Sequence, residues 1–162
     1  MALNAFLKIV GKKTGEVKGS VTVKSQEGKI LVVAANHEVL SPRDAASGLP
    51  TGKRMHKPFM ITKETDKSSP VLYNMLCTNE VISDWTLQFF GTLPTGIQAQ
   101  THTVQLVNAL ISDIVFVMPN NKHPDLAPLL EYEEISFTYQ KITWTWTDGG
   151  ITASDDWLSP NT

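Results

Sequence analysis

Hydrophobic and polar residues alternate with a period of two along most of this chain. In residues 81–89, Val81, Trp85, Leu87 and Phe89 share one parity while Asp84, Thr86 and Gln88 take the other. That is the pattern of a strand with one buried and one wet face. Residues 3–10, 20–25, 29–40, 56–63, 101–118 and 131–147 also read as strands, rich in Val, Ile, Thr and aromatics. Two stretches break the simple pattern. Over 104–118, Val104, Leu106, Leu110, Ile114 and Phe116 fill one parity and Val107, Ile111, Val115 and Val117 the other, so both faces are expected to be buried. A packed helix or a neighbouring subunit would supply the second apolar environment. In 131–147, Ile135, Phe137 and Tyr139 are odd, then Ile142, Trp144 and Trp146 are even. A one-residue slip turns every side chain over, so a bulge or a corner between sheets is expected near Gln140–Lys141. The expected class is mainly β, with a bent, rolled sheet.

One helix stands out. Ser69 is placed to cap it, Pro70 suits its first position, and Val71, Leu72, Met75 and Leu76 fall on one face. It should end near Asn79 and pack on the outside of the sheet. The core is expected to hold Trp85, Phe89, Trp144 and Trp146 from strands and Leu72 and Leu76 from the helix. The longest irregular segment is Ser41–Arg54, SPRDAASGLPTGKR. A loop of about 14 residues is uncommon in a compact domain and is usually functional or mobile. From Asp148 to residue 162 an extended C-terminal tail is expected, with Trp157 and Leu158 as anchors. No repeat or linker divides the chain, so residues 1–162 are read as one domain.

Composition narrows the function more than the fold. The 162 residues are 41% hydrophobic and 19% charged, with 14 basic and 16 acidic side chains and a net charge of −2. That balance offers nothing to attract nucleic acid or a membrane surface. The charge is uneven, however. Residues 1–29 carry six lysines against Glu16 and Glu27, while residues 123–162 carry seven acids against Lys141 alone. Such a distribution suits head-to-tail contact between copies, or two solvated ends. Cys77 is the only cysteine, expected as a small buried hydrophobe. No apolar run approaches the roughly 20 residues that span a bilayer. The start MALNAFLKIV has no signal-peptide character, so no membrane insertion is expected and any export would take another route.

Candidate chemistry is thin. His37, His56, His102 and His123 lack metal-site spacing, and no phosphate-loop, dinucleotide or nucleophile-elbow motif is present. Glu131 and Glu133 lie two apart on a strand. Paired carboxylates can hydrolyse glycosides, but a solvated or interface-facing strand is the simpler reading of these two. Trp144, Trp146 and Tyr139 suggest either core packing or a surface for stacking sugar or peptide, as in a monomeric ligand-binding β-barrel. The run Lys53–Lys57 is the sharpest basic cluster, at the end of the long loop. No cofactor, metal or catalytic residue is expected.

The stretch Arg54-Met55-His56-Lys57-Pro58-Phe59, with Thr62-Lys63-Glu64, Asp66 and Ser68-Ser69-Pro70, resembles the R-x-H-x-P-F-x-x-T-K-E-x-D-x-S-S-P signature of the Hcp family. These are haemolysin-coregulated proteins, tube subunits of the bacterial type VI secretion system. Gly19-Ser20-Val21 with Glu27-Gly28, Lys141-Ile142-Thr143-Trp144-Thr145 before Asp148-Gly149, and Ser154-Asp155-Asp156-Trp157 extend the match in order over nearly the whole chain. The resemblance implies a rolled two-sheet β-barrel with one flanking helix. It implies that six copies close into a ring and that rings stack into a tube inside a contractile sheath. A spike-tip protein would cap the tube, small effector proteins would ride in its lumen, and assembly in the bacterial cytoplasm would precede secretion or injection into target cells. The 41–54 segment matches the position of the family's extended loop, which contacts the adjacent ring. Arg54, His56 and Lys57, with Arg43 and Asp44, are the expected ring-stacking or loop-bracing residues. The uncharged GTLPTGIQAQT within Phe90–His102 departs from the charged or Tyr-containing hairpin of relatives, and no fused toxin domain is expected.

Overall fold

The parity switch near Gln140 marks a corner at which the chain leaves one sheet for another. In the computed structural model, which describes residues 3–160, strand β11 (Tyr132–Thr138) belongs to one sheet and β12 (Lys141–Trp146) to the other. The same crossing occurs twice more. The 29–40 stretch divides into β3 (Ile30–Val32) and β4 (Ala34–Asn36) about Val33, and 101–118 divides into β9 (Gln98–Val107) and β10 (Leu110–Val117). Asn108, with φ of 50°, makes the second break. Asn tolerates that left-handed backbone better than most residues.

The larger sheet runs β13-β12-β9-β8-β1-β2, with β3 sharing the β2 edge of β1; its other strands are β1 (Asn4–Gly11), β2 (Gly15–Val17), β8 (Ile82–Thr92) and β13 (Ile151–Asp156). The smaller sheet runs β10-β11-β7-β4, with β7 spanning Phe59–Glu64. All named pairs are antiparallel. The fold is therefore mainly β, rolled into two sheets by strands that cross between them rather than by a ladder that closes one continuous barrel. Inward residues of both sheets, among them Leu7, Ile9, Ile61, Leu87, Ile135, Phe137 and Ile142, form one core around fully buried Trp85. The Trp85 ring meets Phe59 and Phe137 edge-on, and its indole N–H has no hydrogen-bond partner among the described residues.

Several expectations need correction. Residues 20–25 form no strand, because the 18–29 segment closes on itself. Gly19 N–H donates to Gly28 O and Gly28 N–H to Val21 O. A Cβ on Gly19 would lie 2.3 Å from the Lys29 carbonyl oxygen, so only glycine permits that approach. Helix α1 (Ser69–Cys77) begins one residue differently, with Ser68 at the N-cap position and Ser69 already helical. Neither hydroxyl caps the helix: Ser68 Oγ donates to Asp66, and Ser69 Oγ accepts the Asp66 N–H. The helix end comes where expected, since Asn79 has φ of 50° and Glu80 N–H reaches back to Met75 O. The helix does more than cover the sheet: Leu72 and Met75 join the main core, and Leu76 packs against it half-buried.

Cys77 is exposed on the last helical turn. The stretch from Asp148 is a 3-10 turn followed by β13, which pairs along the whole of β12, so it is a sheet edge and not a free tail up to Asp156. Asn161 and Thr162 lie outside the described residues, as do Met1 and Ala2. Phe89 and Trp144 are half-buried against the core, but Trp146 is 49% exposed. It keeps the inward parity of Ile142, yet stands at the end of β12, paired with exposed Ile151 rather than under the other sheet. The double-sided apolar run at 104–118 is likewise not buried within one chain. Val107, Val115 and Phe116 remain exposed, the last at 53%.

Candidate functional site: the base of the extended loop

The loop leaves the body on two short strands, β5 (Val39–Leu40) and β6 (Met55–His56), which pair only with each other. Its outer part is organised by its own polar groups. Asp44 Oδ1 accepts the N–H groups of Ala46 and Ser47 at 2.8 and 2.7 Å, and these bonds hold its carboxyl below the usual carboxylate range. Arg43 bridges antiparallel to Pro50 and its side chain is exposed. Lys57 pairs with Glu38 at 3.1 Å across the loop base, both half in solvent. Such a pair contributes little stability.

The inner part is different. Arg54 grips Asp155 of β13 with two nitrogens, Nη2 at 2.7 Å from Oδ1 and Nε on Oδ2, and Nη2 also donates to the Asp156 carbonyl at 3.0 Å. This fork holds the Asp155 carboxyl below its ordinary range; burial opposes the shift, and the bond from His56 adds to it. His56 is buried, with Nε2 2.6 Å from Asp155 Oδ2 and Nδ1 2.8 Å from the Tyr139 hydroxyl. Tyr139 OH in turn lies 2.7 Å from His37 Nε2. Trp157 stacks on the His56 ring, and Phe59 on that of His37. Burial, and then the nearby Asp155 charge, push the Tyr139 phenol well above its usual value. Burial and then His56 lower that of His37, against the favourable Lys57 backbone.

The five residues singled out from sequence therefore divide. Arg54 and His56 converge on Asp155, Lys57 stands at the loop base on Glu38, and Arg43 and Asp44 stay on the outer loop. His37, Tyr139, Asp155 and Trp157 complete the base and were not connected to it by sequence reasoning. The signal was present in two separate motifs, R-x-H at 54–56 and S-D-D-W at 154–157, whose charges match.

A second polar cluster joins β7, β11 and α1. Lys63 Nζ lies 3.0 Å from Glu133 Oε2, 3.1 Å from Asp66 Oδ1 and 3.0 Å from Ser69 Oγ, and Ser69 Oγ donates to Glu133 at 3.0 Å. Burial raises the Asp66 carboxyl, but Ser68 and Lys63 outweigh it and leave the group below its usual range. Glu133 is thus buried rather than solvated, while Glu131 is exposed. Buried on Lys63, Glu133 does not share a solvent-facing surface with Glu131. The Trp/Tyr surface also dissolves: Tyr139 is buried in the loop base, Trp144 leans on the core, and Trp146 stands apart. A cleft of about 410 Å³ beside Tyr139 and Trp157 has neither Trp144 nor Trp146 in its lining. Among the described residues no group of three or more His, Cys, Asp or Glu is placed to hold a metal, and no helix is long and apolar enough to cross a membrane.

In sequence and fold the chain is similar to known proteins. A family model described as "Type VI secretion system effector, Hcp" matches residues 6–146. The "Major exported protein" of Pseudomonas aeruginosa is 39% identical over 169 residues, covering 99% of this chain and 98% of the relative. A crystal structure of an Hcp protein superposes with a TM-score of 0.90 at 32% identity, covering 98% of this chain and 100% of the other. The Hcp1 protein from the E. coli EAEC 042 pathovar superposes with a TM-score of 0.84, also at 32% identity, over 96% and 99% of the two chains.

Proposed function

The chain belongs to the Hcp family of type VI secretion proteins, and on that premise we propose that six copies close into a ring and that rings stack into the inner tube. The family is one of secreted structural tube proteins, not of enzymes. One observation carries the reading: apolar surface left bare on the edge strands of a single chain. β10 is the outer strand of the smaller sheet and exposes Val115 and Phe116, while β13 is the outer strand of the larger one and exposes Ile151 beside Trp146. An exposed apolar edge invites pairing with another chain. A closed ring turns each such edge into an interface and leaves none to propagate without limit. Burying one side chain of the size of Phe116 contributes about 1.5–3 kcal/mol.

In this reading the 39–57 hairpin carries the ring-to-ring contact. Arg43, Asp44 and Lys57 face the next ring, and Arg54 and His56 brace the base. The lumen takes small effector proteins, a spike-tip protein caps the tube and a contractile sheath surrounds it. Assembly takes place in the bacterial cytoplasm and precedes export. Sedimentation velocity with negative-stain electron microscopy tests the proposal. The expected species has six times the 17.9 kDa chain mass and appears as rings or tubes. A monomer that persists at high micromolar concentration overturns it. Phe116→Glu, which places a charge on the exposed β10 face, should leave a folded monomer.

A further inference from the structure

The loop base contains more hydrogen-bonding nitrogens than its one phenol can serve in every protonation state. His37 Nε2 and His56 Nδ1 both approach the Tyr139 oxygen, at 2.7 and 2.8 Å. A phenol has a single hydrogen, so it donates to one imidazole and accepts from the other. Asp155, ionised by the Arg54 fork, only accepts, so His56 must carry a hydrogen on Nε2. With His56 neutral, its Nδ1 accepts the Tyr139 hydrogen and His37 Nε2–H donates to the phenol oxygen. With His56 protonated, Nδ1–H donates to that oxygen and the phenol hydrogen turns to His37 Nε2. Each arrangement makes all three bonds. With both imidazoles protonated, two N–H groups face one oxygen, and the phenol hydrogen loses both of the acceptors that serve it.

The two histidines lie on opposite legs of the loop, His37 just before β5 and His56 at the end of β6, while Tyr139 sits at the corner between β11 and β12. One hydroxyl therefore ties both legs to the body. We propose that Tyr139 is the positioning residue of the extended loop, and that it lets the loop base hold one added proton but not two. The second proton strands the phenol hydrogen and sets two imidazolium rings against one oxygen, which weakens the tie holding the two legs. The surrounding groups agree with this count. His56 is faced by Asp155, by Arg54 through it, and by the Trp157 ring. His37 is faced by Phe59, Trp144 and the Lys57 backbone, with the Lys57–Glu38 pair outside. Burial and His56 already lower the pKa of His37, so a second proton is resisted. The consequence for assembly, loss of ring stacking in acid, rests on the tube reading; the proton count does not.

The test is a histidine side-chain NMR titration of the full chain, followed together with its stacking by negative-stain microscopy. In the wild type the loop base should take up its two protons in two separate steps, with the Trp157 signals moving at the second. Tyr139→Phe keeps the ring and removes the hydroxyl, and should bring the two steps together. His56→Gln should raise the His37 midpoint, because the competing proton is gone; this arm decides the matter should Tyr139→Phe fail to fold. Wild-type histidines that titrate independently, a Tyr139→Phe chain with unchanged steps, or a His37 midpoint unmoved in His56→Gln overturns the inference. Rings formed by a chain with uncoupled histidines sink this inference alone. Coupled steps in a chain that never forms rings sink the tube reading alone.

Discussion

Lys63→Met isolates what the buried polar cluster does for the fold. Lys63 occupies the third inward position of β7, after Phe59 and Ile61, and is 0% exposed, beside Glu133 at 1%. Methionine keeps most of the stem and volume but removes the ammonium. Asp66 would keep the Ser68 N–H at 2.9 Å, the Ser68 hydroxyl and the Ser20 N–H at 3.3 Å. Glu133 would keep only Ser69 Oγ at 3.0 Å among the described residues, so a buried carboxylate is left with one neutral partner. Stranding one member of such a pair costs about 3–5 kcal/mol, at least about a fifth of the roughly 5–15 kcal/mol that holds a domain folded. Adding Glu133→Leu removes the stranded charge, and an apolar replacement of a whole buried pair is near neutral or stabilising. The assay is urea unfolding by linear extrapolation at one fixed chain concentration, because assembly stabilises by mass action. A Lys63→Met loss under about 1 kcal/mol, or a double variant as unstable as the two single losses added together, would mean that Lys63 does not hold the Glu133 charge.

Other perturbations test other parts of the fold. Asp155 has a folded pKa below its unfolded one, so its contribution is present above the ordinary carboxylate range and disappears as pH falls through the depressed folded value. Asp155→Asn should lower stability at neutral pH and flatten the acid limb of a melting-temperature profile; an unchanged limb contradicts the assignment. Trp85→Ala should cost about 3–5 kcal/mol in urea unfolding, whereas Trp146→Ala in the unassembled chain should stay within about 0.5 kcal/mol. Comparable losses would mean that the two indoles are misplaced. Asn79→Ala should cost about 1 kcal/mol at the positive-φ helix end, and Asn79→Gly should not; equal thermal shifts in the two variants would exclude the backbone explanation.

Patterning along the sequence revealed strands and one of the corners, but not partners. The Gln140 corner was visible because parity changes sign there. The Asn108 corner was hidden because apolar residues fill both parities on either side of it, and period alone cannot show which sheet receives them. Val21 and Val23 alternate as a strand would, yet their backbone bonds close locally and no strand lies beside them. Trp146 has the right parity but runs past the sheet that would cover it. Polar contacts were the least legible. Glu133 reads as one of two acids on a wet strand until β7 places Lys63 opposite it in register. Tyr139 reads as a core or stacking aromatic until the loop returns His56 and the last strand returns Asp155 to its hydroxyl.

Both polar clusters are anchored in the signature that carries the family resemblance. Arg54 and His56 stand at its start and bind Asp155 and Tyr139; Lys63, Asp66, Ser68 and Ser69 stand at its end and bind Glu133 and one another. Between them Phe59 and Ile61 point into the core at the strand period. The motif thus behaves as a strand pinned at both ends, one pin fixing the loop to the last strand and the other fixing the helix to the smaller sheet. The buried and half-buried charged residues of the motif are held by named partners rather than left bare. Once paired, the buried ones are spent on position, and the positions they fix are those of the loop and of the sheets whose edges are bare. That is the division expected of a subunit that works through its surfaces. On the tube proposal, a variant that breaks the loop pin should therefore disturb assembly before it disturbs secondary structure, with Arg54→Ala losing ring stacking while its circular dichroism stays native. Stacked rings that survive Arg54→Ala would separate the signature from assembly altogether.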